Sequence, residues 1–330
     1  MKKLAVKADI IMRDSFGREI NYMRISITDR CNLRCNYCMP NELPPLSHQD
    51  ILRYEEILKI CSVAANIGIR TIKVTGGEPL VRKGCIPFLQ VLKSTPGIDR
   101  VTLTTNGILL AQYIDELVKM KLDGVNISID SLNAENYRHT TGSDSFSAVW
   151  TSLNDAVQSG LHVKINCVPI RGQNDKEIIP LARLTEILPI DVRFIEYMPT
   201  NESESFSRIT GAEILNRLSK IYPDLAPDES SHGSGPARYF KSDKMQGSIG
   251  IIDAFENTNG CFCPDCNRIR LTSYGFLKLC LFHEDGLDLR KLLRNGASDS
   301  EIETAIISAI HQKPAQHQFG SIKNMSKIGG

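Results

Sequence analysis

The sequence predicts an α/β protein: a partial (βα)6 barrel of the TIM type followed by a smaller C-terminal α+β extension. Three observations carry this expectation. From about residue 22 to 200, short β-rich runs alternate with helix-patterned stretches, giving six units and implying parallel strands with right-handed helical crossovers. After about residue 222 the rhythm stops at a stretch holding Pro223, Pro227, Gly233, Gly235 and Pro236, so a boundary is expected between units at 1–222 and 223–330. Unusual polar residues and cysteines also follow the strands, where parallel barrels gather their chemistry. Periodicity alone equally admits a doubly wound open sheet.

The elements are read in order. Tyr22–Thr28 alternates apolar and polar residues, as a strand does. Residues 50–67 place Ile51, Leu52, Ile57, Leu58, Ile60, Cys61 and Ala64 at helical spacing and stop at Gly68. Strand Arg70–Thr75 precedes helix Ile86–Lys93, and strand Arg100–Thr104 precedes helix Leu109–Met120. Strand Gly124–Asp130 precedes helix Phe146–Ser159, strand Leu161–Val168 precedes helix Glu177–Leu188, and Asp191–Tyr197 is the sixth strand. The extension shows strand-like pieces at Ser248–Ile252, Arg268–Thr272 and Phe276–Leu279, a helix at Ser298–His311, and a polar tail.

Composition narrows the function classes. The 330 residues carry 39 basic and 38 acidic side chains, a net charge of +1 that gives no global attraction to nucleic acid or anionic lipid. No apolar run approaches the ~18 residues of a membrane span. Lys7, Asp9 and Arg13 interrupt what begins like a signal peptide, so a cytoplasmic protein is expected. Its ten cysteines are clustered, which in a reducing compartment points to metal rather than disulfides. Cys61, Cys85 and Cys167 stand alone and read as small buried hydrophobes.

Each strand leads into residues suited to one shared site. The first runs into Thr28-Asp29-Arg30-Cys31-Asn32-Leu33-Arg34-Cys35-Asn36-Tyr37-Cys38 and the second into Thr75-Gly76-Gly77-Glu78-Pro79. Thr104-Thr105-Asn106-Gly107 ends the third, Ser128-Ile129-Asp130-Ser131 the fourth and Glu196-Tyr197-Met198-Pro199 the sixth; Lys164 and Asn166 lie on the fifth. Three thiolates on one tight loop suit three irons of a [4Fe–4S] cluster, leaving the fourth iron without a protein ligand. Zinc is the alternative; it needs a fourth ligand, and the nearest histidine, His48, has an unusual spacing. Cys263-Pro264-Asp265-Cys266 with Cys280 is a second three-cysteine set, for which the alternative is a zinc ribbon completed by Cys261 or His283. Glycines 76 and 77 allow close approach of the backbone to a ligand.

Cys31, Cys35, Cys38, the aromatic Tyr37 before the third cysteine, and Gly76-Gly77-Glu78-Pro79 resemble the hallmarks of the radical S-adenosylmethionine (SAM) superfamily. With the second cysteine set, the segment Asn267-Arg268-Ile269-Arg270-Leu271-Thr272 and Gly275-Phe276-Leu277, the chain resembles the GTP 3′,8-cyclase family of molybdenum cofactor (molybdopterin) biosynthesis. The likeness runs from about Arg24 to the Gly329-Gly330 end.

That resemblance implies a fold of the radical SAM class and two [4Fe–4S] clusters. Cys31, Cys35 and Cys38 would hold the first, whose open iron binds SAM; Cys263, Cys266 and Cys280 would hold the second, which meets the guanine of GTP. It implies SAM contacts from Tyr37, Gly77, Ser128 and Met198, and GTP contacts from Arg24, Lys73, Thr104, Lys164, Arg268, Ile269 and Arg270. Lys73 stands where arginine is frequent, which keeps the charge but loses the planar fork. The resemblance also implies that the tail threads Gly329 and Gly330 into the barrel, where activity needs them, and leaves Cys261 a bystander. The implied reaction is lyase chemistry: a 5′-deoxyadenosyl radical from SAM removes the C3′ hydrogen of GTP, and C3′ closes onto C8. The product is (8S)-3′,8-cyclo-7,8-dihydroguanosine 5′-triphosphate, handed to a cyclic pyranopterin monophosphate synthase. An electron donor of unidentified nature is needed, family members are often dimers, and neither nucleic acid nor membrane is an expected partner. Two rival readings are a peptide-modifying radical SAM maturase, which usually has more C-terminal cysteines, and a zinc-dependent nucleotide-binding scaffold.

Overall fold

In the computed structural model of the chain, residues 10–38, 46–198, 206–253 and 262–317 are described. The first part alternates strands and helices: β1 (Tyr22–Ser26), α1 (Tyr54–Asn66), β2 (Thr71–Thr75), α2 (Cys85–Lys93), β3 (Arg100–Thr105), α3 (Ile114–Lys119), β4 (Val125–Ser128), α4 (Ala134–Thr141), α5 (Phe146–Gln158), β5 (Val163–Cys167), α6 (Ile178–Ile187) and β6 (Asp191–Ile195). Then come α7 (Gly211–Ser219), β7 (Ala226–Pro227), β8 (Arg238–Lys241), β9 (Ile249–Ile252), β10 (Arg268–Leu271), β11 (Phe276–Lys278), β12 (Gly286–Asp288), α8 (Leu289–Arg294) and α9 (Asp299–His311).

These strands form one sheet in the order β12-β11-β10-β1-β2-β3-β4-β5-β6-β9-β8-β7. Neighbours from β10 through β9 are parallel, and the antiparallel pairs lie outside them. Flat, β10 and β9 would stand about 33 Å apart, at ~4.8 Å per strand step. Instead Arg268 and Arg270 of β10 and Ile252 of β9 line one cavity. The sheet is therefore curled into a partial barrel, with extension strands added to both of its edges.

Alternation along the strands separates core from cavity. Met23 and Ile25, Ile72 and Val74, Val192 and Phe194, and Ile269 and Leu271 are buried in the apolar core with the helices. The residues between them, Arg24, Lys73, Arg193 and Arg270, line the cavity instead. One face of each strand thus packs under α1, α2, α5 and α6, and the other makes a polar barrel wall. Cys61, Cys85 and Cys167 are buried as expected.

Several boundaries differ from the sequence pattern for local reasons. α1 starts at Tyr54 rather than Asp50: Arg294 takes the carbonyls of Gln49 and Ile51, Arg290 that of Asp50, and Glu56 accepts from the Arg53 amide at 2.7 Å. The helix expected over 109–120 is a 3-10 turn at Leu110–Tyr113 followed by α3. Helices α4 and α7 had no counterpart in the pattern; both are short, and side chains of Asn133 and Thr210 cap their first turns. Among the described residues, no helix is long and apolar enough to cross a membrane.

The stretch from Pro223 to Pro236 contributes β7 and then closes the end of the barrel away from the cysteine loops. There Lys164 Nζ donates to Asp191 Oδ2 (2.6 Å), the His232 carbonyl (2.7 Å) and the Tyr239 hydroxyl (3.0 Å). The His232 ring stacks on Tyr239 at 3.8 Å and lies 3.0 Å from Asp191 and 2.9 Å from Asp228. Burial raises the Asp191 carboxyl, yet the Lys164 ammonium outweighs it and holds the group below its usual range. Removing one partner of a buried pair strands the other charge, so Asp191→Asn is expected to cost about 3–5 kcal/mol in chemical denaturation at pH 7. The carboxylate contributes stability above its ordinary pKa of 3.8 and loses it as pH falls through its lower folded value, so the gap between the two proteins narrows in acid. An equal denaturation midpoint at pH 7 would show that the pair does not hold this end shut.

Candidate active site

Both cysteine sets open onto one cavity of about 310 Å³. The first set lies on the loop after β1. Its backbone is pinned by Arg34 N to Thr141 O (2.9 Å), Asn36 N to Thr140 O (3.0 Å) and Cys38 N to Cys35 O (3.0 Å). The loop after β2 runs alongside: Gly77 N donates to Thr28 O (2.7 Å) and Glu78 N to Arg30 O (2.8 Å). A Cβ on Gly77 would stand 2.4 Å from the Arg30 carbonyl oxygen, so no larger residue fits without moving the cysteine loop. The close approach these glycines permit is thus to the cysteine loop itself, besides any ligand in the cavity they line. Glu78 then ties this loop to the end of β3, accepting from the Thr105 hydroxyl (2.8 Å) and the Asn106 amide (2.6 Å), and burial pushes its carboxyl up to about 7.

The chemistry of the first thiols suits a polynuclear cationic group. Burial, then the neighbouring Asp130 and cysteines, lifts Cys35 well above the ordinary thiol value; burial and Cys31 push Cys38 up to about 12. Such thiols ionise only when a metal centre supplies compensating positive charge. Cys31 Sγ already accepts from the Leu33 amide at 3.4 Å, and the Asn106 side-chain amide lies 3.9 Å away. Exposed His48 does not line this cavity, nor does His283, whereas His317 does, with its ring 2.9 Å from Cys263 Sγ.

The second set stands in a different field. Burial alone would raise Cys266, but Arg268 and Lys313 outweigh it and bring the thiol down to about 7. Arg24, Lys73, Arg193, Arg268 and Arg270 all face the same cavity. Burial and then Arg270 push Arg24 down to about 9, burial and then Arg268 push Arg270 to about 10, and Lys73 is driven well below its usual value by burial and then by Arg193. Arg24 Nε is buried without a hydrogen-bond partner among the described residues. A cation-lined cavity of this kind is built for a polyanion.

The structure brings most of the expected residues together. Tyr37, Gly77, Ser128 and Met198 line the cavity, as do Arg24, Lys73, Thr104, Arg268, Arg270 and all six cysteines of the two sets. The Tyr37 hydroxyl donates to Asp130 Oδ2 at 2.6 Å, and burial pushes that carboxyl up to about 6. Two expected contacts are placed elsewhere. Lys164 lies at the closed end, neutralised by Asp191, and faces a small second cavity that Lys73 and Arg193 also reach. The Ile269 side chain is in the core, because its position in β10 points opposite to Arg268 and Arg270, so only its backbone remains for a ligand. Gly329, Gly330 and Cys261 lie outside the described residues. Arg18, Lys313 and His317 also line the cavity. No sequence signal marked them, since each is a lone polar residue in a terminal segment.

A curled parallel sheet with three cysteines on its first loop and a glycine-rich second loop defines a radical SAM protein. The Radical SAM superfamily model matches residues 25–185, and the Molybdenum Cofactor Synthesis C model matches residues 190–319. A GTP 3′,8-cyclase of Desulforamulus reducens is 43% identical over 97% of this chain and 100% of its own length, and one of Geobacter sulfurreducens is 44% identical over 96% and 99%. The chain belongs to the GTP 3′,8-cyclase family. Among solved structures, Streptococcus suis SuiB bound to S-adenosylmethionine has the same fold, with a TM-score of 0.64 at 14% identity over 87% of this chain and 68% of that one.

Proposed function

We propose that this chain cyclises GTP to (8S)-3′,8-cyclo-7,8-dihydroguanosine 5′-triphosphate, a lyase reaction of molybdenum cofactor biosynthesis. The observation that carries the reading is one cavity shared by two three-cysteine sets and seven lysine and arginine side chains. Cys31, Cys35 and Cys38 would hold a [4Fe–4S] cluster beside the SAM site, and Cys263, Cys266 and Cys280, within residues 223–330, a second one beside the base. Bound there, the first cluster supplies the electron that cleaves SAM to a radical able to take a hydrogen atom.

The protein's own part is holding and shielding. Tyr37, Gly77, Ser128 and Met198 surround the SAM end, with Asp130 fixing the Tyr37 ring through its hydroxyl. Arg24, Lys73, Arg268 and Arg270, with Thr104, receive the triphosphate and set C3′ of the ribose toward the SAM end. The curled wall keeps water and stray C–H bonds from the reacting carbon. Lys164 supports this site from the closed end, and Gly329-Gly330 are proposed to complete it. The reading further implies a cytoplasmic enzyme drawing electrons from a separate donor, working as a homodimer and passing its product to a cyclic pyranopterin monophosphate synthase.

Anaerobic turnover with GTP deuterated at C3′ tests the reaction. The expected result is deuterium in the 5′-deoxyadenosine together with a cyclised product from GTP. SAM cleavage without deuterium transfer would remove GTP as the substrate while keeping the superfamily chemistry.

A further inference from the structure

The first and last described segments of the chain meet at the second cysteine set. Arg18 belongs to the N-terminal turn bridged at Arg13 and Glu19, with its Nε 2.6 Å from Asp14 Oδ2. Its Nη1 donates to the carbonyls of Cys263 and Ala315, each at 2.9 Å, and its Nη2 to that of Pro314 at 2.7 Å. Lys313, 3% exposed, donates from Nζ to the carbonyls of Arg268 (3.0 Å) and Leu279. Arg268 stands two residues after Cys266, and Leu279 immediately precedes Cys280. The His317 ring lies 2.9 Å from Cys263 Sγ and stacks at 4.8 Å on Phe282, two residues past Cys280.

The regular ladder does not do this work. The pairing of β10 with β11 runs from Leu271 opposite Leu277 to Arg270 opposite Lys278 and stops short of both Cys266 and Cys280. Beyond it, the arms carrying these cysteines are joined by the Lys313 ammonium, and the arm carrying Cys263 is joined to the tail's root by the Arg18 guanidinium.

We propose that residues 313–317, clasped by Arg18, form a positioning strap that sets the spacing of Cys263, Cys266 and Cys280 and places the Lys313 charge where it favours the reduced form of the cluster they hold. The inference rests on the reading that this set holds a cluster. A buried ammonium beside thiolates is weakly screened, so it lowers the cost of adding an electron there.

Two substitutions separate spacing from charge. Lys313→Met keeps the apolar stem but removes both hydrogen bonds and the charge; it is expected to lose about half of the iron and sulfide per chain, one of two [4Fe–4S] clusters. The first cluster and SAM cleavage without GTP are retained, which distinguishes this from misfolding. Lys313→Gln keeps amide donors on a stem one atom shorter and removes the charge. It is expected to hold wild-type iron, with the midpoint potential of its second cluster moved to more negative values in an electron-paramagnetic-resonance redox titration. Lys313→Arg is expected to match the wild type in both readings. Wild-type iron in the Met variant overturns the spacing role, and a wild-type midpoint in the Gln variant overturns the charge role. If the wild-type protein carries only one cluster, with unchanged iron in Cys263→Ala, the second-cluster reading falls and the strap falls with it.

Discussion

Cys35→Ser is expected to abolish 5′-deoxyadenosine formation while leaving the protein folded and its second cluster in place. The loop geometry makes this a test of chemistry rather than of folding. Residues 34, 36 and 38 are each fixed through backbone hydrogen bonds, to Thr141, Thr140 and Cys35, and none of these needs the Cys35 sulfur. Serine is close in size but offers a hydroxyl that does not ionise at neutral pH, so one of three iron ligands is lost. The fall in SAM cleavage exceeds the roughly 10–100-fold that removal of an outer-shell partner costs a metal site. Circular dichroism should match the wild type, and about half of the iron should remain, since each [4Fe–4S] cluster contributes equally. A variant that still cleaved SAM at a wild-type rate would show that this loop is not where SAM meets a cluster.

How much of this was legible in the sequence differs from residue to residue. The barrel was readable because each β-run carries a continuous apolar face, Met23 and Ile25 in β1 or Val192 and Phe194 in β6, against helices of the right period. The same alternation that buries Met23 and Ile25 turns Arg24 inward, so the cationic wall followed from strand phase. Lys164 shows the limit of that logic. Its phase is right, but the register of β5 on β6 sets it directly opposite Asp191, and register is a pairing between distant segments that no local pattern contains. The sequence pattern places the extension after the barrel; its strands instead join both edges, β9 beside β6 and β10 beside β1. Short elements such as β9 and β10 carry apolar patterns but nothing that names their partners. Arg18 and Lys313 were silent for a related reason: each acts on backbone carbonyls, which every residue has.

Arg268→Ala is expected to weaken GTP binding by about 10- to 150-fold while slightly stabilising the empty protein. The loss follows from removing hydrogen bonds to a charged group, worth about 1.5–3 kcal/mol. Arg268 is well placed to matter: it lines the cavity beside Cys266, with its guanidinium over the Phe262 ring at 4.8 Å. The gain follows from its neighbours. Arg24, Lys73 and Arg270 have lowered pKa values, first from burial, with Arg268 among the like charges that add to it. A base with a lowered folded pKa costs stability while it is protonated, and that cost fades only as pH rises through the folded value. At pH 7 Arg24 and Arg270, lowered to about 9 and about 10, are charged, so deleting one cation relieves the others until a triphosphate arrives to do so. Thermal unfolding with and without GTP therefore separates the two effects: the variant begins higher than the wild type and gains less from the nucleotide. Arg268→Lys should fall between, because it restores the charge but not the bidentate fork. SAM cleavage without GTP should be unchanged, so turnover would show 5′-deoxyadenosine in excess over cyclised product at GTP concentrations that saturate the wild type. An unaltered GTP affinity in Arg268→Ala would mean that the triphosphate is held without β10, and that the crowding of cations on this wall serves some other anion.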